Sequence, residues 1–165
     1  MKNLYIDFDG VILDTITTTY RIMEELNVDK NDVIGRTKFY ESLDWKNIIA
    51  ITPEINNSIE SIQKIIDTNK FDVAILTHVN SLDEIVEKVK FIRKKLEHIT
   101  IIPVPKAVSK TKMVNAIDSI LIDDYSGNLT EWEAAGGIGV RFSLELESKG
   151  FHVIDKLEQI LDIKF

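Results

Sequence analysis

Tyr5-Ile6-Asp7-Phe8-Asp9-Gly10-Val11 closes the first apolar run of the chain, Leu4 to Phe8, with two carboxylates two residues apart and then a glycine. Alternation along an extended backbone sends Asp7 and Asp9 to the same side. Gly10 permits a sharp turn or the close approach of a ligand to the backbone. Similar short runs recur at Val73 to Leu76, Ile99 to Val104, Ile120 to Ile122 and, more weakly, Ile138 to Phe142. All are β-branched or aliphatic, as strands buried on both faces of a parallel sheet require. Helical patterns separate them. Ser81 and Glu84 form a capping-box signature ahead of Ile85, Val89, Ile92 and Leu96, with Lys94 and Lys95 near the helix end. A second helix is expected from Asn128 through Ala135, stopping at Gly136-Gly137, and a third after Asp155, with Leu157, Ile160 and Leu161 on one side. Strands alternating with helices predict an α/β fold with a mostly parallel sheet.

The stretch from Asp14 to Lys70 breaks this alternation. Helical patterns at Tyr20 to Leu26, Ile48-Ile49 and Ser58 to Ile66 fill far more chain than one crossover helix needs. The organisation predicted is a core of residues 1–13 and 71–165 with a small helical insertion, 14–70, after the first strand.

Composition narrows the function. The 165 residues, 18.9 kDa, suit a single domain or a core with a modest insertion. At 44% hydrophobic and 28% charged, with 7 Gly and 3 Pro, the chain is neither disordered nor of low complexity. Its 20 Lys and Arg against 27 Asp and Glu leave a net charge of −7, which disfavours polymeric nucleic acid. A small phosphorylated ligand stays compatible if local cations offset the acidic field. The lack of cysteine excludes disulfides, thiolate metal sites and cysteine nucleophiles. No apolar run reaches membrane-span length and the start does not read as a secretory signal, so no membrane association and a cytoplasmic location are expected.

Chemistry concentrates after the aliphatic runs. Asp7 and Asp9 sit where ligands bind in open α/β sheets, and two carboxylates there call for a cation, although an Asp-Gly turn alone reads the same way. In Leu76-Thr77-His78, the Thr77 hydroxyl and a free backbone N–H could hold a phosphate oxygen. Lys106, Lys110 and Lys112 lie before the fourth run, and Ser109 could cap a short helix beginning at Lys110. Ile120-Leu121-Ile122 ends in Asp123-Asp124, an oxygen-rich pair suited to Mg²⁺, with Asn128 a helix-cap candidate. His98 and His152 show no metal-ligand spacing.

The order Asp-x-Asp, Thr, Lys, Asp-Asp resembles the haloacid dehalogenase-like hydrolase superfamily. DFDGV is similar to its first motif, LTH to its Ser/Thr motif, Lys110 to its lysine and LIDD to its final acidic motif. Response regulators also group Asp, Thr and Lys around Mg²⁺, but DFDG at the start argues against them. The resemblance implies a Rossmann-like parallel sheet flanked by helices, with a helical cap inserted after the first strand. It implies a phosphatase in which Asp7 is the nucleophile and Asp9 the general acid and base. Mg²⁺ would be held by Asp7, the Asp9 carbonyl and Asp124, with Asp123 nearby. Thr77, the His78 amide and Lys110 would hold the phosphoryl oxygens. Within the superfamily, LIDDYSGNLTEWEAAGG looks like the 5'(3')-deoxyribonucleotidase-like group through Asp123, Asp124, Asn128, Trp132 and Gly136-Gly137. That likeness makes a nucleoside monophosphate the expected substrate, a sugar or small-metabolite phosphate the alternative, and a non-catalytic phosphate-binding domain a third reading. Phe39, Tyr40 and Trp45 are the base-stacking candidates in the cap, or else part of its packing. The chain is expected to act as a monomer or homodimer.

Overall fold

The computed structural model describes residues 1–165. Its strands are β1 (Lys2–Ile6), β2 (Phe71–Val79), β3 (Thr100–Pro105), β4 (Ile120–Asp123), β5 (Ile138–Phe142) and β6 (His152–Ile154). The helices are α1 (Thr15–Glu25), α2 (Val33–Ser42), α3 (Trp45–Ile51), α4 (Ser58–Asp67), α5 (Leu82–Lys95) and α6 (Ser126–Ala134). The six strands form one parallel sheet in the order β3-β2-β1-β4-β5-β6, a Rossmann-like α/β fold. The chain runs outward from β1 through β2 and β3, returns to the other side of β1 at β4, and runs outward again. The order therefore reverses between β1 and β4. The crevice beyond their carboxyl ends is the switch point at which such sheets bind ligands.

The central strands are buried on both faces, which explains their unbroken apolar runs. Leu4, Ile6, Ile75, Ile120 and Ile122 belong to one large cluster. Leu76, Val104, Leu121, Leu129 and Trp132 form a smaller one. Trp132 is fully buried and its indole N–H donates to the Ser119 carbonyl at 3.1 Å. A Cβ at Gly137 would overlap that indole and crowd the Ala116 carbonyl. The Trp132 and Gly136-Gly137 pattern thus serves the packing of α6 beside β4 and β5.

Several boundaries differ from expectation. β1 ends at Ile6, because the Phe8 carbonyl accepts from the amides of Val11, Ile12 and Leu13 and curls the chain into a tight turn. Gly10 sits in that turn at φ +72°. β2 continues to Val79, since β3 pairs Thr77, His78 and Val79 with Pro103, Val104 and Pro105. Thr77 and His78 therefore lie within the strand instead of after it. β6 is a three-residue edge strand outside the apolar runs, and the apolar pattern after Asp155 forms a 3-10 helix, Leu157–Asp162, in place of an α-helix. The segment 14–70 holds four helices. α2 escaped the periodicity because it buries only Phe39. α4 packs against β2 and the C-terminal 3-10 helix, placing Ile62 and Ile65 in the same cluster as Leu4 and Ile6. On α5 the fully covered stripe is Glu84, Lys88 and Ile92, whereas Ile85 and Val89 are only half-buried.

Candidate active site

Both acidic motifs meet at the switch point. The Asp7 amide donates to the Ile122 carbonyl at 2.9 Å, which brings the end of β1 alongside the end of β4. Asp7 is 6% exposed and Asp123 is fully covered. Asp123 is saturated: Oδ2 accepts from Lys110 Nζ at 2.6 Å and Asn128 Nδ2 at 2.9 Å, and Oδ1 from the Tyr125 amide at 2.9 Å. Asn128 is accordingly not the cap of α6; Tyr125 holds that position, and Asn128 reaches back from the first turn. Arg141, buried at the end of β5, donates from Nη1 to the Asp124 carbonyl at 2.9 Å. The Asp124 carboxylate lies against Gly10, where any Cβ would collide with its Oδ2.

Lys110 is the buried lysine of its group, while Lys106 and Lys112 are exposed. It begins a three-residue 3-10 turn, Lys110–Lys112, for which Ser109 provides no side-chain cap; the Ser109 hydroxyl donates to Glu131 Oε2 at 2.6 Å. The Lys110 ammonium stands 2.9 Å from Asp7 Oδ1, close enough for strong attraction but without hydrogen-bond alignment, so Oδ1 has no hydrogen-bond donor. One ammonium thus serves three crowded carboxylates. Burial, opposed by Lys110 and reinforced by Asp123 and Asp9, pushes Asp7 up to about 7. Burial reinforced by Asp123 and Asp7 pushes Asp124 up to about 8. Burial alone would lower the Lys110 ammonium, yet Asp123 and Asp7 raise it. Ligand oxygens of Asp7, Asp123 and Asp124 lie within 4.8 Å of one another. Oxygen-only donors and negative charge in excess of the single Lys110 ammonium fit a hard divalent cation such as Mg²⁺.

Asp9 stands apart from this cluster on the neighbouring turn. Its Oδ1 accepts from Thr15 Oγ1 at 2.7 Å and its Oδ2 from Lys88 Nζ at 2.6 Å. Lys88 is a site residue that sequence reasoning missed. It is 1% exposed, in the middle of α5, and the helical phase of Glu84, Lys88 and Ile92 was its only signal. Thr77, 1% exposed, is likewise engaged: its hydroxyl accepts from Lys88 Nζ at 3.0 Å and donates to the His78 carbonyl at 3.2 Å.

A cavity of about 780 Å³ opens over these groups, lined by Asp7, Asp9, Asp123 and Asp124 below and by Tyr20, Arg36, Thr37, Tyr40 and Trp45 from the inserted helices. His78 and Lys106 also line it; Thr77, Lys110 and Phe39 do not. The His78 Nε2 pairs with the Val108 carbonyl at 2.9 Å, and burial holds its imidazole below the usual range. Phe39 is 6% exposed and packs edge-on against Tyr40, ring centroids 5.3 Å apart. Trp45 is 2% exposed with the Lys88 ammonium 5.1 Å from its ring centre. Tyr40, half-buried and held by the Thr19 hydroxyl at 3.2 Å, is the sequence-predicted ring best placed to meet a ligand. No helix is long and apolar enough to cross a membrane.

No family model matches the chain, and neither does any curated protein. Solved structures do. The chain is similar to a HAD-superfamily hydrolase, subfamily IA, from Geobacter sulfurreducens, at 14% identity and TM-score 0.63 over 98% of both chains. It is also similar to a HAD phosphatase from Thermococcus onnurineus, at 13% identity and TM-score 0.63 over 98% of this chain and 97% of the other. A phosphonoacetaldehyde hydrolase-like protein from Oleispira antarctica matches at 12% identity and TM-score 0.60, over 96% and 89%. At such identities the likeness is one of fold, and it extends along nearly the whole chain.

Proposed function

We propose that this protein is a haloacid dehalogenase-like phosphomonoester hydrolase that works through an aspartyl-phosphate on Asp7. The observation that carries the reading is the convergence of Asp7, Asp123 and Asp124 at the switch point, with Asp9 one turn away and a cavity above them all. In the first half-reaction an Asp7 oxygen attacks phosphorus, the bond from phosphorus to the ester oxygen breaks, and Asp9 delivers a proton to the departing alcohol. In the second, water attacks the same phosphorus, Asp9 takes its proton, and phosphate leaves with Asp7 regenerated. A divalent cation held by Asp7 and Asp124, with Asp123 nearby, would screen the nucleophile from the phosphate and stabilise charge developing on its oxygens. Asp124 is the better candidate for a direct ligand, because the Asp123 oxygens already accept three hydrogen bonds.

The substrate class we favour is a nucleoside monophosphate. Tyr40 supplies a ring over the cavity, and stacking a base on such a ring contributes roughly 1–3 kcal/mol. A sugar phosphate is the competing reading, favoured by the polar Thr37 and Arg36 on the same wall. Phosphate release from both classes, measured with Mg²⁺ and with a chelator, tests the proposal. Hydrolysis that requires the cation and disappears in Asp7→Asn supports it. Full activity in chelator, or in Asp7→Asn, removes it.

A further inference from the structure

A buried lysine bound to a catalytic carboxylate demands an explanation, because burying an ammonium is costly unless its partners compensate. Lys88 Nζ lies 2.6 Å from Asp9 Oδ2, 2.7 Å from Glu84 Oε1, 3.0 Å from Thr77 Oγ1 and 3.1 Å from the His78 carbonyl. Its flanks are covered by the rings of Phe8 and Trp45, at 5.0 and 5.1 Å from the ammonium. Glu84, also 1% exposed, is fixed in turn by the Asn80 amide at 2.6 Å. The lysine does not line the cavity, so it is not placed to touch a substrate.

We infer that Lys88, with Glu84 as its counter-ion, is a positioning residue that fixes the Asp9 carboxylate for proton transfer to and from the substrate; the inference rests on the phosphatase reading above. Free rotation would give a carboxylate at the tip of a glycine turn many orientations. Thr15 on Oδ1 and Lys88 on Oδ2 leave it one. Glu84 shares the ammonium with Asp9, so the lysine's contacts are divided between two carboxylates and its own position is fixed from both sides. The same ammonium ties the turn after β1 to the end of β2 through Thr77 and His78. Trp45, the first residue of α3, roofs it, and the Trp45 amide donates to Asp83 on α5 at 3.0 Å. Trp45 on this account shields the Lys88–Asp9 contact, which explains why its ring is 2% exposed beside a cavity it borders.

The test compares an alkyl phosphate, whose poor leaving group needs an acid, with p-nitrophenyl phosphate, whose leaving group does not. kcat/KM reports the steps up to leaving-group departure. Removing Lys88 alone would strand Glu84, so the variant is the pair Lys88→Met and Glu84→Gln, checked by circular dichroism and thermal melting. General acid catalysis contributes about 10²–10⁴-fold, so misplacing Asp9 should lower kcat/KM for the alkyl ester by roughly 10–100-fold more than for the aryl ester. KM for the alkyl ester should change little. Because the chain has no cysteine, Lys88→Cys can be aminoethylated selectively in denaturant and refolded, which restores an ammonium of nearly the same reach. Recovery of the alkyl-to-aryl ratio supports the role. Equal losses on both esters, no loss on either, or a refolded aminoethyl enzyme that keeps the defect overturns it. So does failure of both variants to fold, which would assign the cluster to stability. A wild-type protein that hydrolyses neither ester removes the phosphatase reading itself, an outcome distinct from all of these.

Discussion

Replacing Lys110 by Met should expose how the site balances its charges. In the wild-type protein one buried ammonium faces Asp7 at 2.9 Å and Asp123 at 2.6 Å, with Asp124 close by. Methionine keeps the length and apolar stem but removes the charge. Breaking a buried pair by deleting one partner costs about 3–5 kcal/mol. For a chain of this size 1 kcal/mol moves the midpoint by about 2–4 °C, so the loss should be roughly 6–20 °C. The pH dependence gives the sharper reading. Asp7 and Asp124 have folded-state values raised to about 7 and about 8 from an ordinary 3.8. A carboxylate raised in this way contributes stability that is fully present below its unfolded value and is lost as pH rises through its folded value. At about pH 5.5 both groups are largely protonated in the fold and lean on Lys110 little; at about pH 8.5 they are largely ionised and lean on it fully. Urea unfolding followed by the fluorescence of Trp45 and Trp132, with chelator present, should therefore show a larger Lys110→Met penalty at the higher pH. A penalty independent of pH, or none, would refute this picture of one lysine compensating crowded carboxylates.

Other substitutions separate packing from chemistry. Gly10→Ala places a methyl group on Asp124 Oδ2 and forces alanine to φ +72°, so it should lower thermal stability and weaken cation dependence together. Removing the ring at Tyr40 with Leu should reduce kcat/KM for a nucleoside monophosphate, by about 5–160-fold if stacking contributes its usual 1–3 kcal/mol, while a small generic ester is hydrolysed as before. Phe39→Leu should instead lower stability and leave both substrates equally served, because that ring is covered and packs on Tyr40.

Sequence and structure agree most closely where one periodic signal carries the information. The aliphatic runs ending at Asp7 and Asp123 are legible because strands buried on both faces admit few other residues, and the fold then forces the two acidic motifs together. Helix α5 shows the opposite case. Ile85 and Val89 advertise an apolar face, yet the deepest stripe includes Glu84 and Lys88. Glu84 and Lys88 pair locally with each other, with Asn80 and with Thr77, but the carboxylate that completes the group is Asp9, 79 positions away, and no local pattern announces a partner so distant. Lys110 is legible as a site lysine, but not its place beneath the carboxylates, which depends on the turn geometry of residues 106–112. Whether a strand stops at Leu76 or runs on through Thr77 and His78 to Val79 is decided by the pairing of β3, a long-range contact. The short helix α2 escaped notice because it lies outside both apolar clusters and so carries no stripe.

The aspartyl-phosphate on Asp7 is tested most directly by catching it. The protein is mixed with Mg²⁺ and a phosphate ester labelled in its phosphoryl group, quenched in acid during turnover, reduced with borohydride and digested. Acid-stable label should appear on the protein during turnover and, after reduction, homoserine should replace Asp7 in the peptide that spans it, with neither seen in Asp7→Asn. Phosphate release without any protein-bound label, or label on a residue other than Asp7, would contradict it.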